Sequence, residues 1–90
     1  MRFEFDPRKS EANALKHGIH FIRAQRIWED GRRIEAPVRW VQEPRWITIG
    51  VIDGKHWTAV WTKRGGAIRL ISVRRARRNE TGAYESRGFR

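Results

Sequence analysis

Ninety residues with 39% hydrophobic content and five tryptophans suffice for one domain, residues 1–90, built on a modest core. Twenty Lys and Arg against ten Asp and Glu leave a net charge of +10, an excess suited to a polyanionic partner. The lack of cysteine excludes disulfides and zinc knuckles, no apolar run has the length of a membrane span, and Met1 to Asp6 does not read as a signal peptide. The expected setting is therefore cytoplasmic, with no membrane partner.

Taken in chain order, Arg2 to Phe5 alternates polar and apolar residues as a half-buried strand does. Asp6-Pro7 supplies an N-cap and a first-turn proline, so a helix is expected from about Arg8 to His17, stopped at Gly18. On it Lys9, Asn13 and His17 recur at four-residue spacing, with Lys16 near the same arc and Leu15 opposite, facing the core. That ridge suits RNA phosphates, and equally a solvated face with His17 near the terminal carbonyls.

A second helix is expected from about Phe21 to Glu29, with Phe21, Ala24, Ile27 and Trp28 in the core and His20 a poor cap. Residues 32–45 are less legible. Arg33 to Ala36 suits a short edge strand, Pro37 and Pro44 forbid a long one, and Val38-Arg39-Trp40-Val41 is ambiguous. Trp46 to Ile52 and Trp57 to Thr62 form a hairpin about Asp53-Gly54. Arg64-Gly65-Gly66 turns the chain into a third strand, Ile68 to Val73, which completes an antiparallel meander. A last helix then opens with Arg74, Arg75, Arg77 and Arg78, places Ala76, Glu80 and Tyr84 on one face, and carries Gly82 inside it. The tail from Ser86 to Arg90 is expected to fray.

The positive charge concentrates at this end. Residues 63–90 hold nine Lys and Arg against Glu80 and Glu85, a net +7. A strand ending in several guanidiniums is a rigid way to present phosphate ligands. Few other chemistries fit. The sequence has no Cys nucleophile, no G-x-S-x-G, no P-loop, no H-E-x-x-H and no metal-ligand spacing among His17, His20 and His56. RNA brings its own nucleophile, the 2′-hydroxyl, so aligned cations and one proton-transfer group are enough to cleave it.

Three blocks of residues resemble the BrnT family of toxins from BrnT/BrnA type II toxin–antitoxin pairs. The first is Phe3-Glu4-Phe5-Asp6-Pro7-Arg8-Lys9, Asn13 and Lys16-His17-Gly18-Ile19, continued by Phe21, Ala24, Trp28 and Asp30. The second is Glu43, Arg45-Trp46 and Ile49-Gly50. The third is Val60-Trp61-Thr62, Arg64, Ile71-Ser72-Val73-Arg74, Ala76, Glu80 and Tyr84. Pro44, His20 and Val73 depart from the usual pattern, and none of them is assigned to chemistry.

The resemblance implies an α+β, RelE-like fold, in which a three-strand meander and an N-terminal strand form a small antiparallel sheet. Two N-terminal helices and a C-terminal helix pack on it. It further implies an endoribonuclease that needs no metal or other cofactor, inhibits translation and growth, and is neutralised by a BrnA-type ribbon-helix-helix antitoxin. Operator DNA is then reached only through that antitoxin. Carried onto this chain, Arg64 and Arg74 are the phosphate or transition-state contacts, and Lys9 and His17 the candidates for proton transfer. Arg69, Arg75, Arg77, Arg78, Asn13 and Lys16 are RNA-binding. Each has a structural alternative: Arg64 shaping the glycine turn, Arg74 paired with Glu80 as a brace, Tyr84 packed. A non-catalytic basic module that binds RNA, DNA or an antitoxin accounts for the same charge.

Overall fold

The computed structural model describes residues 1–39 and 42–87. Trp40 and Val41 of the ambiguous segment, and Gly88, Phe89 and Arg90 of the tail, lie outside the described residues. The elements are β1 (Phe3–Glu4), α1 (Pro7–His17), α2 (Phe21–Ala24), a 3₁₀ turn (Gln25–Glu29), β2 (Ile34–Pro37), β3 (Trp46–Ile52), β4 (Lys55–Arg64), β5 (Ala67–Arg75) and α3 (Arg78–Glu85). The strands form one sheet in the order β1-β5-β4-β3-β2, and the α+β class expected from sequence holds.

The meander follows from its turns. Asp53 and Gly54 both take positive φ, as do Gly65 and Gly66, so two tight turns fold β3, β4 and β5 onto one another. The sheet is mixed, however, because β1 pairs with β5 in parallel. No hairpin joins those two strands, so nothing forces the antiparallel direction. β1 is held instead by its own side chain, with the Phe3 ring edge-on to Trp28 at 5.0 Å.

One face of the sheet carries Trp57, Ala59 and Trp61 of β4 against Phe21, Ile27 and Trp28, and this is the core. The second helix is α-helical only to Ala24 and continues as a 3₁₀ turn. Its tail lies directly on β3, where a side chain at Gly50 would come within 2.9 Å of the Ile27 carbonyl oxygen. Ala24 and Ile27, three residues apart, then point the same way and both are fully buried. His20 makes no capping bond, and Ser10 Oγ accepts from Phe21 N at 2.9 Å.

α1 has the expected ends: Asp6 Oδ1 accepts from Arg8 N, and Gly18 takes φ 80°. It turns an unexpected face inward. Leu15 is 91% exposed, while Ser10 and Asn13 are buried. β1 is only two residues long, so beyond it the edge of β5 has no strand neighbour among the described residues. The Asn13 amide takes that place: Nδ2 donates to Val73 O at 2.9 Å and Oδ1 accepts from Val73 N at 3.1 Å. Two hydrogen bonds to a buried strand edge outweigh the burial of one leucine, because unpaired backbone groups there are costly.

The strand-to-helix junction also lies later than expected. Arg75 still pairs with Trp57, and Ala76 N bonds His56 O at 3.0 Å, so Arg74 and Arg75 belong to β5 and Ala76 to the link. α3 begins at Arg78, with Arg77 at its cap and Glu80 reaching back to accept from Arg77 N at 2.8 Å. Gly82 sits inside α3 with open space where a Cβ would be. Gly82→Ala is therefore expected to stabilise the fold by about 1 kcal/mol, read as a rise in Tm of about 4–8 °C.

Candidate nucleic-acid interface

The face of the sheet opposite the core is covered at one end only. Register places Thr62 opposite Arg69, Val60 opposite Ser72 and Thr58 opposite Arg74. A bulge between Val60 and Trp61 leaves Ile71 as the extra residue, since Leu70 pairs with Trp61 and Ser72 with Val60. Strict alternation would put Arg69 and Arg74, five residues apart, on opposite faces. The bulge brings both to the outer face while Leu70 and Val73 remain in the core.

At the Arg74 end, α3 closes the face. Arg74 donates to both oxygens of Glu80 at 2.7 and 2.9 Å, and the hydroxyl of Thr58 donates to Glu80 Oε1 at 3.0 Å. Burial disfavours the charged form of Glu80. The hydrogen bonds from Arg74 and Arg77 N, the Arg74 charge and the Thr58 hydroxyl outweigh it and bring the pKa from 4.5 to about 2. Arg74, 19% exposed, is thus engaged as the brace and does not line the cleft at the other end of the face.

At the other end the face stays open as a cleft of about 380 Å³ over Thr62 and Ile71. Its walls carry the cations Lys9, Arg45, Arg64 and Arg69 and the acid Glu43, with Lys63 at the border. Arg69 donates to Glu4 Oε1 at 3.1 Å, and Arg64 Nε stands 3.7 Å from the same oxygen. Arg45 donates through Nε and Nη2 to Glu43 Oε1 at 3.2 and 3.1 Å. Lys63, which alternates with Arg64 along β4, turns its ammonium to the core side, 4.8 Å over the ring of Trp46, itself stacked on Trp61. Among the described residues Lys9 has no ion-pair partner. Lys9 of α1, Arg64 and Arg69 of the β4–β5 hairpin and Arg45 just before β3 thus surround one hollow, with Glu4 and Glu43 to orient the guanidiniums.

Of the residues expected to act, the structure brings Lys9, Arg64 and Arg69 into this cleft. His17 lies eight residues from Lys9, about 12 Å along α1, and does not line it. Asn13 is 7% exposed, with Ile19 O as a further acceptor, and serves as the edge pair of β5 rather than an RNA contact. Arg75 sits on the core side of the sheet rim, its guanidinium 5.4 Å over Trp57 and its Nε donating to His56 O. Arg77 and Arg78 are exposed at the start of α3, and Lys16 is exposed on α1, all outside the cleft. Glu4, Glu43 and Arg45 stand in the blocks that carry the resemblance but received no role from sequence reasoning. Their place in those blocks was the available signal, whereas Pro37 and Pro44 obscured how the chain delivers Glu43 and Arg45.

A second polar hollow, of about 520 Å³, lies on the far side, beside α3. Its groups are paired with one another: Tyr84 OH donates to Asp30 Oδ2 at 2.7 Å, and His56 Nε2 lies 2.8 Å from Glu85 Oε1. Asp30 also accepts from Arg32 N and Val51 N at 2.9 and 2.8 Å. These contacts, with the edge-on packing of His56 on Tyr84, make it the joint that seats α3. Among the described residues no group of three or more His, Cys, Asp or Glu is placed to hold a metal ion.

Over residues 5–80 the chain matches the family model described as ribonuclease toxin, BrnT, of type II toxin-antitoxin system. No curated protein matches it significantly. The chain belongs to the BrnT family of ribonuclease toxins.

Proposed function

With that family as the premise, we propose that this chain cuts RNA without a metal ion in the open-face cleft. By doing so it inhibits translation and growth in the cytoplasm, until a BrnA-type antitoxin neutralises it. Operator DNA is contacted only through the antitoxin. The observation that carries the reading is the convergence of Lys9, Arg64 and Arg69, from separate segments, on one cationic hollow.

The chemistry follows from the donors available. Arg64 and Arg69, oriented by Glu4, and Arg45, oriented by Glu43, grip the scissile phosphate and its neighbour. They stabilise the negative charge that grows as the 2′-oxygen attacks phosphorus. Solvent water takes the proton of the 2′-hydroxyl as it attacks, and Lys9 protonates the 5′-oxygen as its bond to phosphorus breaks, leaving a 2′,3′-cyclic phosphate and a 5′-hydroxyl, after which Lys9 regains its proton from solvent. No step needs a redox group or a bound metal.

The test is incubation of purified protein with RNA in excess chelator. Scission with cyclic-phosphate ends is expected. Salt-sensitive binding with no scission would reduce the cleft to a binding surface, the reading in which the module is not an enzyme.

A further inference from the structure

Attack by the 2′-hydroxyl releases a proton to water, and water alone is a weak base at neutral pH. Among the described residues that line the cleft, Glu43 is the one acid. Its two oxygens are not equivalent. Oε1 accepts both bonds from Arg45, at 3.2 and 3.1 Å. Oε2 has no partner among the described residues, and the side chain is 61% exposed. The segment that carries Glu43 is fastened to the floor of the cleft. Thr62 Oγ1 donates to Pro44 O at 2.8 Å, and Val38 N donates to Arg45 O at 2.8 Å. The ring of Pro44 further restricts the backbone of Glu43 before it. An exposed ion pair contributes little to stability, so the fold itself does not need a carboxylate at this place.

We infer that Glu43 holds this water through Oε2 and receives the 2′-hydroxyl proton from it, as the counterpart of Lys9. The inference rests on the reading of the cleft as the site of RNA cleavage. Sheet order supplies the geometry. The strands run β1-β5-β4-β3-β2, so Lys9 comes from α1 at the outer edge of β5, whereas Glu43 stands just before β3. Arg69 and Ile71 of β5, with Thr62 and Arg64 of β4, lie between them. β5 and β3 are two strand spacings apart, about 10 Å. Acid and base therefore enter from opposite flanks of a phosphate seated on the arginines. In-line displacement requires this, because the attacking and leaving oxygens lie on opposite sides of phosphorus. Glu4 does not meet the requirement. It belongs to β1, on the Lys9 flank, and its Oε1 is taken by Arg69, with Arg64 Nε 3.7 Å away.

The 2′-oxygen keeps the electron pair of its O–H bond and uses it to bond phosphorus, while the proton passes through the water to Glu43. The pair of the breaking bond stays on the 5′-oxygen, which takes its proton from Lys9. Glu43 then releases a proton to solvent and Lys9 regains one, so both return to their starting forms. A carboxylate here also repels the bound phosphate. Its removal is therefore expected to slow turnover without weakening RNA binding.

The experiment measures single-turnover cleavage, RNA affinity and Tm for wild type, Glu43→Gln, Glu43→Asp, Arg45→Ala and the double variant Glu43→Gln, Arg45→Ala. The side chain is exposed, so Tm should hold. Glu43→Gln is expected to slow cleavage about 10²-fold with RNA affinity retained, and Glu43→Asp to recover part of that rate. If Glu43 did no more than orient Arg45, its replacement would change nothing once Arg45 is gone. A further loss of about 10²-fold on the Arg45→Ala background is expected instead. A second substrate, with sulfur in place of the 5′-oxygen at the scissile bond, separates the two flanks, because a thiolate departs without being protonated. It is expected to bring Lys9→Ala close to the wild-type rate and to leave Glu43→Gln slow. Full activity in Glu43→Gln overturns the inference. So does the lack of a further loss in the double variant, or rescue of Glu43→Gln by the sulfur substrate. A wild type that cuts neither substrate defeats the ribonuclease reading and this inference with it.

Discussion

Lys9→Ala is expected to lower the rate of RNA cleavage about 10²- to 10³-fold, with the free energy of unfolding changed by less than about 0.5 kcal/mol. Lys9 is exposed and has no ion-pair partner among the described residues, so its loss removes nothing the fold depends on. Lys9→Arg separates its two contributions. It keeps the positive charge in the cleft but holds its proton too tightly to pass it to a leaving oxygen. RNA affinity is therefore expected to survive while turnover falls. Arg64→Ala, at a side chain 63% exposed, should cost a comparable factor through lost stabilisation of the pentacoordinate phosphate. His17→Ala is the contrast, since His17 lies outside the cleft. Single-turnover cleavage of a labelled RNA, with urea unfolding of each variant, measures all four. A fall in activity with His17→Ala matching that of Lys9→Ala would contradict the placement of the site.

The second large effect concerns stability. Arg74→Ala leaves the Glu80 carboxylate, whose side chain is 6% exposed, without its bidentate partner. A loss of about 3–5 kcal/mol is expected, the cost of an uncompensated buried charge. On a domain of this size that is much of the total. Combining it with Glu80→Gln, which removes the charge, should recover part of the loss, and the non-additivity measures the coupling. The pH dependence has a definite sign. Folding lowers the Glu80 pKa from 4.5 to about 2, so the stabilisation is fully present above the unfolded value of 4.5. It is lost as pH falls toward 2, and amounts to about 3 kcal/mol. Glu80→Gln should flatten the fall in stability between pH 4.5 and 2. The residual slope belongs to other carboxylates, among them Asp30 and Asp53, whose pKa values are also lowered. For Asp30, burial opposes ionisation but the bonds from Tyr84, Arg32 N and Val51 N prevail. For Asp53 the hydrogen bonds from Arg23 and Arg26 are the cause.

These two predictions divide residues that looked alike. In the sequence Arg64 and Arg74 are both arginines near the last strand. In the fold one stands at a hairpin tip over an open cleft, and the other is inside an ion pair under α3. The difference is one of distance along β5 and of which end a helix covers, and neither quantity is written in local composition.

Much was legible because local physics decides it. Asp6-Pro7 and Gly18 mark the ends of α1 by capping and φ. Asp53-Gly54 and Gly65-Gly66 mark the hairpins, since few other residues tolerate positive φ. The spacing of Phe21, Ala24, Ile27 and Trp28 identifies a buried helical face. By itself the sequence therefore determined the elements, the antiparallel meander, the α+β class and the cationic character of the surface. Tertiary structure decided everything that depends on a neighbour remote in sequence. It turned Asn13 inward and Leu15 outward, because the edge of β5 lacked a partner strand beyond β1. It made β1 parallel, because no hairpin dictated its direction. It put Arg69 on the outer face through a bulge, carried β5 through Arg75, and gathered Lys9, Arg45, Arg64 and Arg69 into one cleft while leaving His17 outside. Hydrogen-bond satisfaction at a strand edge and side-chain direction after a bulge are set by pairing across 60 residues of chain, which no window of local sequence contains.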